Sequence, residues 1–239
     1  MKNRPFLAPH HSITPSAMAG GGKHPKPGEV SLATYGVLFL DELPEFERRT
    51  VELLRQPLEE REITVNRVAD RCDYPASFMF VAAMNPCPCG AYPDRRKCRC
   101  SEVQIRRYQG KISRALLDRI DLFLQLAPVR YEELTTKKKE ESSAVIRARV
   151  MRARQRQKDR YAGLGIMTNA ELSAGELAHF CALNAAGEEV LKEAFFRYSL
   201  SARAYHRIIK VARTIADMDG AEAIGEEHLY EAIGYRNFV

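Results

Sequence analysis

Two apolar runs interrupt an otherwise mixed chain, VLFL at 37–40 and FMFVAAM within SFMFVAAMN at 77–85. Uninterrupted runs of this length predict strands covered on both faces, as parallel strands are. The first ends at Asp41 and Glu42, the second at Asn85. Two such strands predict a doubly wound sheet with its site at the carboxyl edge. Between them Phe46, Val51, Leu54 and Leu58 form a helical stripe that Pro57 ends or kinks, and EITVNRV alternates as a strand or hairpin arm. Residues 101–121 read as helical, and LLDRIDLFLQL passes into a further strand. From 168 onward the pattern is helical throughout. Thr168 or Asn169 caps one helix, Ser201 caps another, and Ile208, Val211, Ile215 and Met218 make an apolar stripe. Residues 1–36, rich in Pro, Gly, His and Ser, read as an irregular surface segment whose triple glycine at 20–22 is a turn or flexible tip. The pattern as a whole predicts an α/β body and an all-helical appendage.

Composition narrows the class. With 239 residues and 45% hydrophobic content, the chain can bury a core in one large domain and a smaller one. The N-terminal stretch MKNRPFLAPHHS lacks a signal-peptide core, and no run approaches the roughly 18 apolar residues of a membrane span. The expectation is a soluble cytoplasmic protein with no membrane partner. A net charge of +6 permits a polyanionic partner without requiring one. Its placement says more: Arg95, Arg96, Lys97 and Arg99 are followed by Arg106, Arg107, Lys111 and Arg114. In IRARVMRARQRQKDR, Arg149, Arg152, Arg156 and Arg160 form one helical stripe, and Arg147, Arg154 and Lys158 cover another. Such a helix fits a phosphate backbone or a solvated connector equally well.

Six cysteines without a secretory signal argue against a disulfide framework. Four of them, Cys87, Cys89, Cys98 and Cys100, fall in a C-x-C-x8-C-x-C pattern. Two close pairs around a turn-forming stretch can close a tetrahedral zinc site, or else supply redox-active thiols. A [4Fe–4S] cluster is a further alternative, although the spacing matches no standard iron–sulfur motif. Cys72 and Cys181 are isolated and read as packing residues. His10 and His11 are adjacent, so on a strand their rings point apart and do not make a metal pair.

The segments RPFLAPHHS, GEVSLATYGVLFLDELPEF, LRQPLEE, VAAMNPCPCG and LLDRIDL, in that order, resemble the magnesium-chelatase-like AAA+ ATPases, most closely their ComM (YifB) branch in bacteria. The resemblance covers nearly the whole chain. It implies a partial three-layer αβα P-loop NTPase core over 1–130, a basic linker helix over 131–165 and a helical lid over 166–239. It further implies ATP and Mg²⁺ as cofactors. Asp41 would hold the Mg²⁺ as part of the Walker B strand, and Glu42 would polarise the attacking water. Asn85 would be the sensor 1 residue, and Arg119 the arginine finger offered to a neighbouring subunit. Arg203 would be the sensor 2 arginine, with Arg207 and Arg213 on the same helix. These roles suit phosphoryl transfer, which is catalysed by positioning and charge neutralisation.

A P-loop needs G-x-x-x-x-G-K-[ST]. The nearest stretches here, GGGKHP and QGKIS, lack that spacing. The family places this motif upstream of the RPF-x-APHH segment, so the resemblance implies the C-terminal half of a longer protein, inactive alone as an ATP hydrolase. The whole protein would be a hexameric, DNA-acting helicase or branch-migration factor in natural transformation, without a porphyrin partner. Its DNA contacts in the ring pore would come from Arg61, Asn66 and Arg67 on the hairpin. The rival readings are a magnesium chelatase motor subunit and a zinc-stapled DNA-binding or interaction module.

Overall fold

The computed structural model describes residues 3–22, 25–66 (for Asn66 the backbone only), 71–127, 129, 131 and 141–236. The chain divides into two compact units, Met1–Ile120 and Asp121–Val239. The first is mixed α/β and the second, among the described residues, is helical. No helix of the described residues is long and apolar enough to cross a membrane.

The first unit is built on a parallel sheet in the order Phe6–Leu7, Val37–Leu40, Met79–Ala82. The two apolar runs are therefore neighbours, paired Val37↔Met79 through Leu40↔Ala82. The central strand buries Leu38 and Leu40 completely, against a core that includes Met18, Val30, Leu43, Val51, Leu54 and Leu116. The segment before it is not an irregular surface loop. It supplies an outer strand, the helices Pro15–Ala19 and Glu29–Leu32, and the fully buried Met18, Val30 and Ala33. Glycine and proline punctuation hides elements this short from a periodicity reading. The triple glycine is not a loose tip either: Gly20–Gly21 pairs antiparallel with Lys26–Pro27. Gly36 permits the sheet to form, because a Cβ there would lie 1.9 Å from the Pro5 carbonyl oxygen.

The stripe after the central strand folds as short turns, including Arg48–Glu52 and Pro57–Glu60. Phe46, Val51 and Leu54 face inward as expected, but Pro57 opens a turn at the first helical position, where its missing N–H costs nothing. Glu62–Asn66 and Arg71–Pro75 form an antiparallel hairpin. Arg61 precedes it in left-handed conformation, while Arg67 and the Asn66 side chain lie outside the described residues.

In the second unit, Ala202–Asp219 packs on Ser143–Arg160 and Glu226–Gly234. Ser201 caps the first of these, its hydroxyl accepting from the Ala204 amide at 3.1 Å. Thr168 stands at the N-cap of the short 3-10 turn Asn169–Glu171, without a side-chain cap bond, and Ser173 caps the helix Ala174–Phe180 through a capping box with Glu176. The buried stripe of Ala202–Asp219 runs through Ala204, Ile208, Ile209, Ala212 and Ala216, leaving Met218 exposed. Alanines set this face, because small residues let neighbouring helices approach closely. Residues 121–127 form no strand, and Leu122, Leu124 and Leu126 are exposed. With no sheet in this unit among the described residues, those backbone groups have no ladder to join. The basic helix Ser143–Arg160 belongs to this unit, and Ala153 and Gln157 are its buried residues.

Candidate functional site

Register carries both polar strand ends to one edge of the sheet. The Ala83 amide donates to the Leu40 carbonyl at 2.9 Å, and the Leu43 amide donates to the Ala83 carbonyl at 3.0 Å. The second bond straps the turn after the central strand to the chain leading into Asn85. Glu42 itself has φ 51°, left-handed for a residue with a side chain, which costs of order 1 kcal/mol or more. The Asp41 carboxylate accepts from the Glu42 amide at 2.9 Å and supports this turn. Asp41 and Glu42 are both exposed.

Glu42 and Asn85 line a common open cleft of about 510 Å³. Gln104, Arg107 and Tyr108, from the helix Glu102–Gln109, form its opposite wall together with Lys111. The cleft is electrostatically mixed. Lys111 Nζ sits 3.1 Å from Glu45 Oε1 and 5.3 Å from the Tyr108 ring centre. Burial, with Glu45 next, pushes the Tyr108 hydroxyl above its ordinary pKa, so it remains a neutral donor at physiological pH. His11 Nδ1 lies 3.5 Å from Glu42 Oε2. The sequence reading gave His11 and Tyr108 no role; the capping-box spacing Ser101-x-x-Gln104 was the available signal for the wall helix.

Arg119 does not reach this cleft. It lines a second one, of about 350 Å³, with Glu52, Arg55, Gln56, Glu59 and Glu60. Its guanidinium pairs closely with Glu59 and donates to the Ala115 carbonyl at 2.6 Å. The side chain is only 9% exposed, and Nε has no hydrogen-bond partner among the described residues. Arg203 stands exposed in the first turn of Ala202–Asp219, Arg207 pairs with Asp121, and Arg213 is buried against Asp217.

The four clustered cysteines converge. All their sulfurs lie within 4.8 Å of one another, a set that could hold a metal ion. Cys87 and Cys98 are buried with Ile105. The Ala91 amide, with help from Cys87, brings the Cys89 thiol down to about 6, whereas lost hydration pushes Cys100 up to about 11. Cys181 is a core residue of the second unit, its thiol also raised to about 11 by burial.

The basic patches are partly engaged. Arg95 pairs with Glu102 and covers the Tyr92 ring, and Arg149 is held 2.8 Å from Glu141. Arg156 donates to the Asp217 carbonyl at 3.0 Å, and Arg160 meets the Asp217 carboxylate, so the stripe of four arginines is not one open surface. Arg147, Arg152, Arg154 and Lys158 remain exposed.

Comparison with known proteins gives the same direction throughout. The family model described as magnesium chelatase, subunit ChlI matches residues 1–134, and that described as magnesium chelatase, subunit ChlI C-terminal matches 140–236. The competence protein ComM of Haemophilus influenzae is 47% identical over 239 residues, which is 100% of this chain and 46% of that protein. The uncharacterized protein YifB of Escherichia coli is 46% identical over 237 residues, 98% of this chain and 46% of that protein. An uncharacterized Mycobacterium tuberculosis protein is 40% identical over 233 residues, 97% of this chain and 46% of its own length. The chain thus spans about half the length of the curated relatives it matches. With both matched segments in order and these identities running end to end, the chain belongs to the magnesium-chelatase-like family of ComM and YifB.

Proposed function

We propose that this chain is part of an ATP-hydrolysing AAA+ motor that acts on DNA. The observation that carries the reading is the delivery of Glu42 and Asn85, by adjacent parallel strands, to one cleft beside Asp41. Asp41 offers an exposed carboxylate at the strand end, a donor suited to Mg²⁺, which prefers oxygen ligands. MgATP, when bound, supplies the transferable phosphoryl group and the divalent charge that offsets it. In this reading Glu42 orients and polarises the attacking water, and Asn85 hydrogen-bonds near it. Arg119 acts on the neighbouring subunit's nucleotide as an arginine finger, and Arg203 is the sensor on the lid. A finger acting in trans calls for head-to-tail subunits, which close into a ring such as a hexamer. No G-x-x-x-x-G-K-[ST] stretch lies in these 239 residues, so in this reading the phosphate cradle, and with it hydrolysis, belongs to a protein of the relatives' length. DNA contacts in this reading come from the hairpin at 62–75, with Arg61 at its root, and from the exposed arginines of Ser143–Arg160. Zinc is the proposed occupant of the four thiols, and the cytoplasm is the proposed compartment.

The test is ATP hydrolysis by a protein of the relatives' full length carrying this chain, with linear strands and a branched junction, beside Glu42→Gln. Stimulation by DNA that disappears in Glu42→Gln supports the motor; hydrolysis indifferent to DNA sinks the DNA-acting part. The family models' own description favours a second reading, a motor that assists metal insertion into a porphyrin. Porphyrin-dependent hydrolysis in the same assay would select it. A zinc-stapled module without nucleotide chemistry would show neither response.

A further inference from the structure

Three of the sulfur separations in the cysteine cluster are 3.4 Å for Cys87–Cys89, 3.7 Å for Cys87–Cys98 and 3.7 Å for Cys89–Cys98. A single ion at about 2.3 Å from four thiolates sets tetrahedral edges of about 3.8 Å. Two of these three edges stand near that value, and all four sulfurs lie within 4.8 Å of one another. An iron–sulfur cluster divides its thiolates among several iron atoms and needs a wider set. The loop between the cysteine pairs is folded by its own backbone: the Gly90 amide donates to the Cys87 carbonyl at 3.0 Å, and the Cys98 amide donates to the Asp94 carbonyl at 2.7 Å. At Gly90 φ is +77°, a conformation glycine adopts without strain, and it turns the chain between Cys89 and the rest of the loop.

What this cluster touches matters more than its chemistry alone. Cys87 stands two residues beyond Asn85, and Pro88, inside the first pair, lines the cleft with Asn85 and Glu42. Cys100 is followed directly by Ser101, the cap of the helix that carries Gln104, Arg107 and Tyr108 into the opposite wall. The far end of that helix is tied back, since Gln109 Nε2 donates to the Pro86 carbonyl at 3.1 Å. Ile105, on the same helix, packs on Cys87 and Cys98. Both walls of the cleft are thus rooted in the four cysteines.

We infer that the four thiols bind one zinc ion and that this ion positions Asn85 and the Glu102–Gln109 helix against Glu42, so that turnover depends on zinc. Each thiol that still carries a proton gives it to solvent as its sulfur binds the ion. The catalytic half of this inference rests on the ATPase reading above; the metal half does not. Its role is positioning, since no cysteine need touch nucleotide.

The full-length protein carrying this chain is purified without added metal, and its zinc is measured by elemental analysis and by release to a colorimetric chelator. One zinc per chain is expected, lost in Cys87→Ser/Cys98→Ser and kept in Cys98→His, which replaces one ligand with another. Cobalt exchanged into the site gives the absorption bands of a tetrahedral thiolate complex. Amide exchange over 83–109 rises on zinc removal, a readout independent of hydrolysis. Turnover falls at least about tenfold with nucleotide affinity within about threefold, the split expected when reacting groups are misplaced by an ångström or so. Four thiols that react freely in the native protein, with no zinc, overturn the site. Zinc whose removal changes neither exchange nor turnover overturns its positioning role. If the wild-type protein hydrolyses no ATP, the ATPase reading fails, and zinc content with amide exchange still decides the rest. Should the double serine variant not fold, reversible chelation of the wild-type protein gives the same comparison.

Discussion

His11 Nδ1 lies 3.5 Å from Glu42 Oε2, joining a histidine of the N-terminal APHH stretch to the acid at the end of the central strand. The contact exists because Phe6–Leu7 pairs in parallel with Val37–Leu38 and brings the chain after it to the same sheet edge. His11 also meets the Phe46 ring edge-on at 6.3 Å, and its ring centre lies 4.0 Å from that of His10; the two histidines sit in a turn, not on a strand, so their rings do not point apart.

The first prediction concerns that pair. The His11 and Glu42 side chains are 36% and 58% exposed, so their contact contributes at most about 1 kcal/mol to stability. His11→Ala therefore leaves the unfolding midpoint of the first unit nearly unchanged. In the full-length protein it lowers kcat by up to about tenfold at constant nucleotide affinity, because an unrestrained carboxylate samples more orientations. Denaturant unfolding and steady-state hydrolysis, measured on the same variant, check both halves. A large stability loss with unchanged kcat would assign His11 to packing instead.

Arg119 and Glu59 give the second. Glu59→Gln weakens the partner of a guanidinium that is only 9% exposed, at a cost of about 1–3 kcal/mol, and leaves the arginine in place. Arg119→Ala also destabilises, but in the full-length assembly it lowers hydrolysis by about 10³-fold, as loss of an arginine finger does. Comparing the two variants by unfolding and by turnover separates the stability effect from the catalytic one. Equal turnover losses in both would remove the finger role.

The sequence made the two apolar strands, their parallel pairing and the polar residues at their ends legible, since continuous apolar runs admit few other placements. It concealed the strand Phe6–Leu7, because two residues carry no periodicity and its position depends on Gly36 meeting Pro5. The lid stripe was legible in part: Ile208 is fully buried and Val211 and Ile215 pack against the same core, but Met218 is exposed, and Ala204, Ala212 and Ala216, which hydropathy does not single out, fill the most buried positions. The cysteine spacing marked four thiols that could share one metal ion; the fold brings their sulfurs within 4.8 Å of one another and shows the same loop joining Asn85 to the helical wall of the cleft. Arg119 was singled out by its motif, while its partner Glu59 lies 60 residues away and no local rule could find it.

Gly36 carries the third prediction. Gly36→Ala drives a methyl group to 1.9 Å from the Pro5 carbonyl, which accepts from the Val37 amide at 2.9 Å. Backbone must move, at a cost of about 2–3 kcal/mol. Amide exchange at Val37 should rise together with a lower unfolding midpoint, whereas an unchanged Val37 amide would mean that the strand pairing tolerates the shift.

The fourth concerns Asp217, which is fully buried and receives Arg160, Arg213 and Asn169. Burial alone raises its pKa, but hydrogen bonds from Arg160 and Asn169 and the charges of both arginines leave it below the ordinary aspartate value. A carboxylate with a depressed folded-state pKa binds fewer protons folded than unfolded near that value, so its contribution is complete well above 3.8 and is lost as pH falls through the folded-state value. Asp217→Asn removes that contribution at every pH and leaves Arg213, 3% exposed, without its carboxylate, at a cost of about 3 kcal/mol or more. Urea unfolding of the second unit should therefore show a constant gap between wild type and variant from pH 7 down to about pH 5, closing below it. A gap that stays constant through pH 3 would mean that the loss in Asp217→Asn comes from altered hydrogen bonding, and that the charge of Asp217 does not set the acid stability of the helical unit.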